Sequence, residues 1–168
     1  PQPNGDGSIR MSAVHISSAR ALWALVFLRL VKLAELIDRI NQLDLTKVRA
    51  KLMAARHENM SAEEADATIT AYRRFLVMTG VARFPVVPTR TIDAAWHHHQ
   101  LHSRMYQRDC LQVFGYFLHH CPADEDASDD DRARMEQGFE RTAKLYYALF
   151  GVKYEETRQA DCCDPRCR

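Results

Sequence analysis

Apolar residues recur at intervals of three and four along most of this chain, and this spacing constrains the fold more than any other feature of the sequence. Such intervals place side chains on one face of an α-helix, whereas a half-buried strand needs apolar and polar residues to alternate. No run of β-branched residues alternates with polar ones for more than a few positions. The sequence therefore predicts an all-α fold, a single-domain bundle of five or six helices.

The longest apolar pattern predicts a first helix over about residues 17–42. Residues 21–28 within it are continuously apolar, and charged residues follow at close intervals. This run is far shorter than the roughly 20 apolar residues that a membrane span requires. No signal-peptide cleavage site of small residues follows it either. We therefore expect a buried helix, no membrane partner and a cytoplasmic protein.

Ser61 and Glu64 have the spacing of a capping box, in which each side chain bonds the backbone N–H of the other residue. The box predicts that a helix begins there. That helix is expected to end at Gly80, because glycine commonly terminates helices. A shorter amphipathic helix is expected before it, over about residues 46–57.

Two prolines interrupt the helical pattern in the segment 82–90, because proline lacks a backbone N–H and restricts the residue before it. The chain is expected to run extended as far as Thr91, which would act as the N-cap of the next helical region. That region covers about residues 92–118, with a break at about 101–103. Gly115 near its end is interpreted as allowing a close helix contact.

Both ends of the chain lack a helical pattern. Residues 1–10 precede Met11 and are interpreted as an expression remnant or a disordered segment. The helical domain is expected over residues 11–151, with its last helix over about 131–150. A polar, cysteine-rich C-terminal tail, residues 152–168, follows. It carries three of the five cysteines, Cys162, Cys163 and Cys167. The odd number of cysteines argues against a complete disulfide framework.

The charged residues nearly balance, with 23 Lys and Arg against 22 Asp and Glu and a formal net charge of +1. Such a chain lacks the bulk electrostatic field that attracts nucleic acids or anionic membranes. We therefore predict no nucleic-acid partner, and a protein partner or a small molecule would have to be recognised by a specific site. The sequence contains no nucleophile motif, phosphate-binding loop or dinucleotide fingerprint.

Histidine is concentrated in one segment, because residues 92–121 contain six of the eight histidines together with two cysteines. Neutral imidazole and thiolate are preferred ligands of zinc, iron and copper. The candidate metal ligands in this segment are His97, His99, Cys110 and His120. The predicted cofactor is a divalent transition metal ion, zinc or iron.

Helix geometry restricts which of these residues can bind one ion. Each residue advances about 100° around a helix, so His97 and His99 are about 200° apart on a regular helix. Asp93 lies one turn before His97, where its carboxylate would orient that imidazole. Cys110 shares a face with His99 instead, and His120 would fold back from the end of the region. A common site therefore requires a helix break, a helix start at that point, or separate roles for the two histidines.

Four short motifs lie between residues 60 and 122, namely YRRFL, VPTRTID, WHHHQL and FGYFLHH. Together they resemble the bacterial and plant glycine-rich domain-containing protein-like family. The positions that match the family pattern are Asp93, Trp96, His97, His99, Leu101, Tyr106, Cys110, Gly115 and His120. The resemblance implies a mostly helical module and no settled activity. His98, His102 and His119 lie outside the pattern.

Three classes of function are compatible with this segment. A structural metal site would use a closed set of four ligands, and folding would depend on the ion. A metal-dependent enzyme would keep one coordination position open, with Asp93 or Tyr106 carrying a proton. A metal-free helical interaction module would bury Trp96 and Leu101 and use the histidines only as hydrogen-bonding groups. Cys110 suits a small buried apolar position as well as it suits ligation.

Overall fold

The computed structural model describes residues 13–56, 58–120 and 128–154. These residues form six α-helices and no β-strand, which confirms the all-α class. The helices are α1 (Ala13–Asn41), α2 (Thr46–Ala54), α3 (Ala62–Val81), α4 (Arg90–Leu101), α5 (Ser103–Phe114) and α6 (Asp129–Phe150). The predictions for residues 1–10 and for the three tail cysteines fall outside the described residues.

The chain divides into two compact units, Pro1–Glu35 and Leu36–Arg168. The described residues of the first unit belong to α1, which confirms the predicted helix. The prediction that its apolar run is buried was wrong, because the eight large apolar side chains within residues 22–31 are 37–73% exposed. A single helix has no core of its own in which to bury such a surface. None of the helices in the described ranges is both long enough and apolar enough to cross a membrane.

The second unit is organised around α3 and α4. α3 packs against α2, α4 and α6, and α4 also packs against α2 and α5. The buried side chains of α3 are Ala65, Thr68, Tyr72, Phe75, Leu76, Val77 and Met78. Three helices therefore border α4, so side chains on different faces of α4 meet different neighbours.

The capping box predicted at the start of α3 is present. The Ser61 backbone N–H donates to the Glu64 carboxylate at 2.8 Å, and the Glu64 N–H donates to the Ser61 hydroxyl at 3.2 Å. Gly80 does not end the helix, which continues to Val81. A Cβ atom at Gly80 would lie 2.6 Å from a methyl carbon of Leu36. This glycine therefore permits a close contact with Leu36.

α4 begins two residues earlier than the sequence predicted. Thr89, in place of Thr91, is its N-cap, and the Thr89 hydroxyl accepts a hydrogen bond from the Ile92 N–H at 3.4 Å. Thr89 is the first hydroxyl residue after the second proline, and it has the extended backbone of an N-cap. The earlier start places Asp93 within the first turn of α4.

The predicted break at residues 101–103 is confirmed, since α4 ends at Leu101 and α5 begins at Ser103. The expected burial of Leu101 was wrong, because this residue lies at the corner between the two helices and is 78% exposed. The helix contact expected at Gly115 was also wrong. No atom lies within 4 Å of a Cβ built there, and Gly115 ends α5 with a left-handed φ of 79°.

Candidate metal centre

Asp93 and His97 lie one turn apart on α4, so their side chains point to the same side of the helix. Asp93 Oδ2 lies 3.7 Å from His97 Nδ1. The Asp93 side chain is 11% exposed, whereas that of His97 is 51% exposed. This pair therefore connects the protein interior to the surface.

His120 joins the pair from the segment that follows α5. Its Nε2 atom donates a hydrogen bond to Asp93 Oδ1 at 2.7 Å, and its side chain is only 4% exposed. The ring centroids of His120 and His97 are 4.5 Å apart. One ligand atom from each of the three residues lies within 4.8 Å of the other two. The structure thus brings together two of the predicted ligands, His97 and His120, with Asp93 as the third member.

Tyr106 on α5 holds the segment that carries His120. The Trp96 indole N–H donates to the Tyr106 hydroxyl at 2.8 Å, and that hydroxyl donates to the Leu118 carbonyl at 2.5 Å. Burial raises the pKa of Tyr106 above its usual range, so its hydroxyl keeps the proton that it donates. The Trp96 ring also lies edge-on against His120, with centroids 4.4 Å apart. These contacts fix His120 beside Asp93.

His99 lies on another side of α4 and is only 1% exposed. Its Nε2 atom lies 3.2 Å from Asp109 Oδ2, and its Nδ1 atom lies 3.0 Å from the Tyr72 hydroxyl. Burial lowers the pKa of His99, which favours the neutral ring even though Asp109 opposes this effect. A neutral ring that donates from Nε2 to the carboxylate accepts at Nδ1 from Tyr72. Both nitrogens are therefore engaged, and His99 does not converge with His97 and His120.

Cys110 on α5 is also buried, at 3% exposure. Burial raises the pKa of the Cys110 thiol, which disfavours the thiolate that metals bind. The structure does not bring Cys110 into the group formed by Asp93, His97 and His120. Its position instead suits the small buried apolar role that the sequence also allowed.

The two partners of His99 could not be recognised from the sequence. Tyr72 lies 27 residues before it on α3, and Asp109 lies 10 residues after it on α5. Neither spacing corresponds to neighbouring positions on one helix. Asp93 was recognisable from its spacing to His97, although only as a residue that orients the imidazole.

Two plant proteins resemble part of this chain. Glycine-rich domain-containing protein 1 from Arabidopsis thaliana is 35% identical over 71 residues, which cover 40% of this chain and 8% of the plant protein. Glycine-rich domain-containing protein 2 from the same plant is 37% identical over 68 residues, with the same two coverages. The match therefore spans a small part of each plant protein's length. No solved structure matches the chain.

The sequence profile of the UCP032817-like family matches residues 35–149. The match includes α2, α3, α4 and α5 in full, and it also includes Asp93, His97 and His120. It covers more than half of the 168 residues. The chain therefore belongs to the UCP032817-like family, and the similarity to the plant proteins confirms its resemblance to the glycine-rich domain-containing proteins.

Proposed function

We propose that this protein binds a divalent transition metal ion, zinc or iron, through Asp93, His97 and His120. The observation that carries the proposal is the convergence of their ligand atoms within 4.8 Å. Bonds from zinc to histidine nitrogen and carboxylate oxygen are about 2.0–2.2 Å long, so one ion can bridge atoms at this separation after small side-chain movements.

The chemistry of the three donors supports the proposal. Two imidazoles and one carboxylate form the set found in many catalytic zinc sites and in non-haem iron sites. Three protein ligands leave further coordination positions for water. The 51% exposure of the His97 side chain gives an ion a path from solvent to the buried Asp93 carboxylate.

The proposed ligand set differs from the one predicted from the sequence. Asp93 replaces His99 and Cys110. Both ring nitrogens of His99 have protein partners, so ligation would break a buried hydrogen bond. Burial raises the pKa of the Cys110 thiol, so forming the thiolate that a metal binds would cost additional free energy.

An ion bound at His120 Nε2 would replace the hydrogen bond to Asp93, and the neutral ring would carry its hydrogen on Nδ1 instead. Because histidine binds metal as the neutral ring, metal binding should weaken as the pH falls. The competing function is the metal-free helical interaction module, in which the 2.7 Å hydrogen bond between His120 and Asp93 serves only to stabilise the fold. The two functions differ in their response to added metal.

Calorimetric titration of metal-stripped protein with Zn²⁺, without a histidine tag, tests the proposal. The tightest Zn²⁺ binding event of the wild-type protein should be lost in His97→Ala and His120→Ala. Asp93→Asn, which keeps the size of the side chain, should weaken that event more than about 100-fold, because even residues that only support metal ligands are worth 10–100-fold. Circular dichroism should show that each variant retains its helices.

His119→Ala is the matched control. His119 is adjacent to His120 in the sequence, but it is exposed and lies outside the cluster. This variant should bind Zn²⁺ like the wild type. The proposal fails if this tightest event survives in His120→Ala, or if His119→Ala and His120→Ala weaken it equally.

A further inference from the structure

A second pair of histidines lies at the C-terminal end of α4, where His98 belongs to the helix and His102 is its C-cap residue. His98 and His102 are four residues apart, and neither belongs to the family pattern that contains His97 and His120. Three of their ring nitrogens, both of His98 and Nε2 of His102, are buried without a hydrogen-bond partner among the described residues. Buried polar atoms nearly always have a partner, so these three nitrogens need an explanation.

Glu58 approaches His98, one member of this pair, from the turn between α2 and α3. Its carboxylate lies 3.5 Å from His98 Nε2, and the two side chains are 21% and 13% exposed. Backbone hydrogen bonds hold the turn on the carboxyl side of Glu58, from the Asn59 N–H to the Ala55 carbonyl at 2.9 Å and from the Met60 N–H to the Leu52 carbonyl at 3.1 Å. The turn therefore holds an anionic oxygen donor beside the unpartnered imidazole.

We propose that Glu58, His98 and His102 form a second binding site for a divalent transition metal ion. Two histidines four residues apart on a helix are a recurrent zinc-binding arrangement. His98 and His102 have this spacing, with His102 at the C-cap of α4. Glu58 supplies the third ligand and the negative charge. The ion becomes the partner of buried imidazole nitrogens that have no hydrogen-bond partner within the described ranges.

The second site is separate from the first. His97 and His98 are consecutive, so their side chains leave α4 about 100° apart. The donors of the second site are less closely gathered than those of Asp93, His97 and His120, whose ligand atoms lie within 4.8 Å of one another. We therefore expect the second site to bind the more weakly of the two.

Histidine ring nitrogens report directly on this site. Two-bond ¹H–¹⁵N correlation spectra of the tag-free, metal-stripped chain, with peaks assigned from single variants, distinguish protonated, neutral and metal-bound rings. Titration with Zn²⁺ in a His120→Ala background removes the contribution of the first site. In that background the His98 and His102 resonances should move, and calorimetry should still detect one equivalent bound through them.

Variants then separate ligation from a simple ion pair. Adding His98→Ala should abolish this equivalent, and adding His102→Ala should weaken it at least 10-fold. Glu58→Gln keeps the shape of the side chain and should weaken Zn²⁺ binding at the second site. This variant tests the site even if His98→Ala fails to fold. His119→Ala again serves as the exposed control and should change nothing.

The proposal is overturned if Zn²⁺ leaves the His98 and His102 resonances unmoved, as expected when His98 and Glu58 form only an ion pair. It is equally overturned if Zn²⁺ uptake in the His120→Ala background is unaffected by Glu58→Gln. These results are independent of the first site. If His120→Ala loses one bound Zn²⁺ and the His98 resonances do not respond, only the first site is supported. If the His98 resonances respond and His120→Ala loses no bound Zn²⁺, only the second site is supported.

Discussion

His97 and His99 are two residues apart on the same helix, yet they occupy opposite chemical environments. His97 is half exposed and lies in a cluster with a carboxylate and a second imidazole. His99 is almost fully buried, with one nitrogen facing Tyr72 and the other facing Asp109. The residue type is the same in both cases. The two side chains leave α4 about 200° apart. This difference decides which histidine can act as a metal ligand and which one forms hydrogen bonds between helices.

The two environments differ in whether the histidine nitrogens are available to bind a metal ion. The His99 ring links α3, α4 and α5, and burial lowers its pKa, which favours the neutral ring. A ring with both nitrogens engaged has no lone pair left for an ion. The Asp93 carboxylate, in contrast, faces two imidazoles at once. Substitutions on the two sides of α4 should therefore affect different properties of the protein.

The largest expected effect on stability is that of His99→Ala. Removal of the ring leaves the Tyr72 hydroxyl and the Asp109 carboxylate short of a buried partner and opens a cavity. We expect the free energy of unfolding to fall by about 3–5 kcal/mol, the usual loss when one partner of a buried polar pair is removed. Urea denaturation followed by circular dichroism measures this change.

The same variant tests the separation of the two environments. Folded His99→Ala should still bind Zn²⁺ through Asp93, His97 and His120. The exposed control His119→Ala should stay within about 0.5 kcal/mol of the wild type. A His99→Ala protein that is stable but has lost Zn²⁺ binding would contradict this assignment and restore His99 as a metal ligand.

The sequence predicted which residues share a face of α4. It did not predict which residues of the other helices contact each face. Helical periodicity is a local property, so it separated His97 from His99 and paired Asp93 with His97. The partners of His99 come from α3 and α5, and their positions depend on how the helices pack. A single sequence contains no signal for contacts across 27 residues, as between Tyr72 and His99.

His120 was a different case. The sequence suggested that it folds back, but the reason for its position lies in the hydrogen bonds of Tyr106 to Trp96 and the Leu118 carbonyl. The resemblance to a family marked Tyr106 as a matching position without giving it a role. Tyr106 therefore connects the interior of the domain to the candidate metal centre.

An intermediate effect is expected for Tyr106→Phe, which removes a hydroxyl that serves both regions. The Trp96 N–H and the Leu118 carbonyl would lose their partner, at a cost of about 1–3 kcal/mol in unfolding free energy. The segment carrying His120 would also be held less firmly, so Zn²⁺ affinity should fall roughly 10-fold. Denaturation and calorimetry on the same samples measure both changes.

Tyr116→Phe is the matched control for that variant, because Tyr116 is 52% exposed. It should alter neither stability nor Zn²⁺ affinity. A Tyr106→Phe protein with reduced stability but unchanged Zn²⁺ affinity would show that the hydroxyl supports the fold without positioning His120.

The smallest expected effect on the metal-free protein is that of His97→Ala. A side chain that is 51% exposed contributes little to packing, so the free energy of unfolding should change by no more than about 0.5 kcal/mol.

Added metal should separate His97→Ala from His99→Ala by how much Zn²⁺ stabilises each variant. With Zn²⁺ at 100 times its dissociation constant, ligand linkage should stabilise the wild-type protein by about 2.7 kcal/mol. His97→Ala should lose most of this gain, while folded His99→Ala should keep it. If both variants keep the gain, the ion binds elsewhere and His97 is an ordinary surface residue.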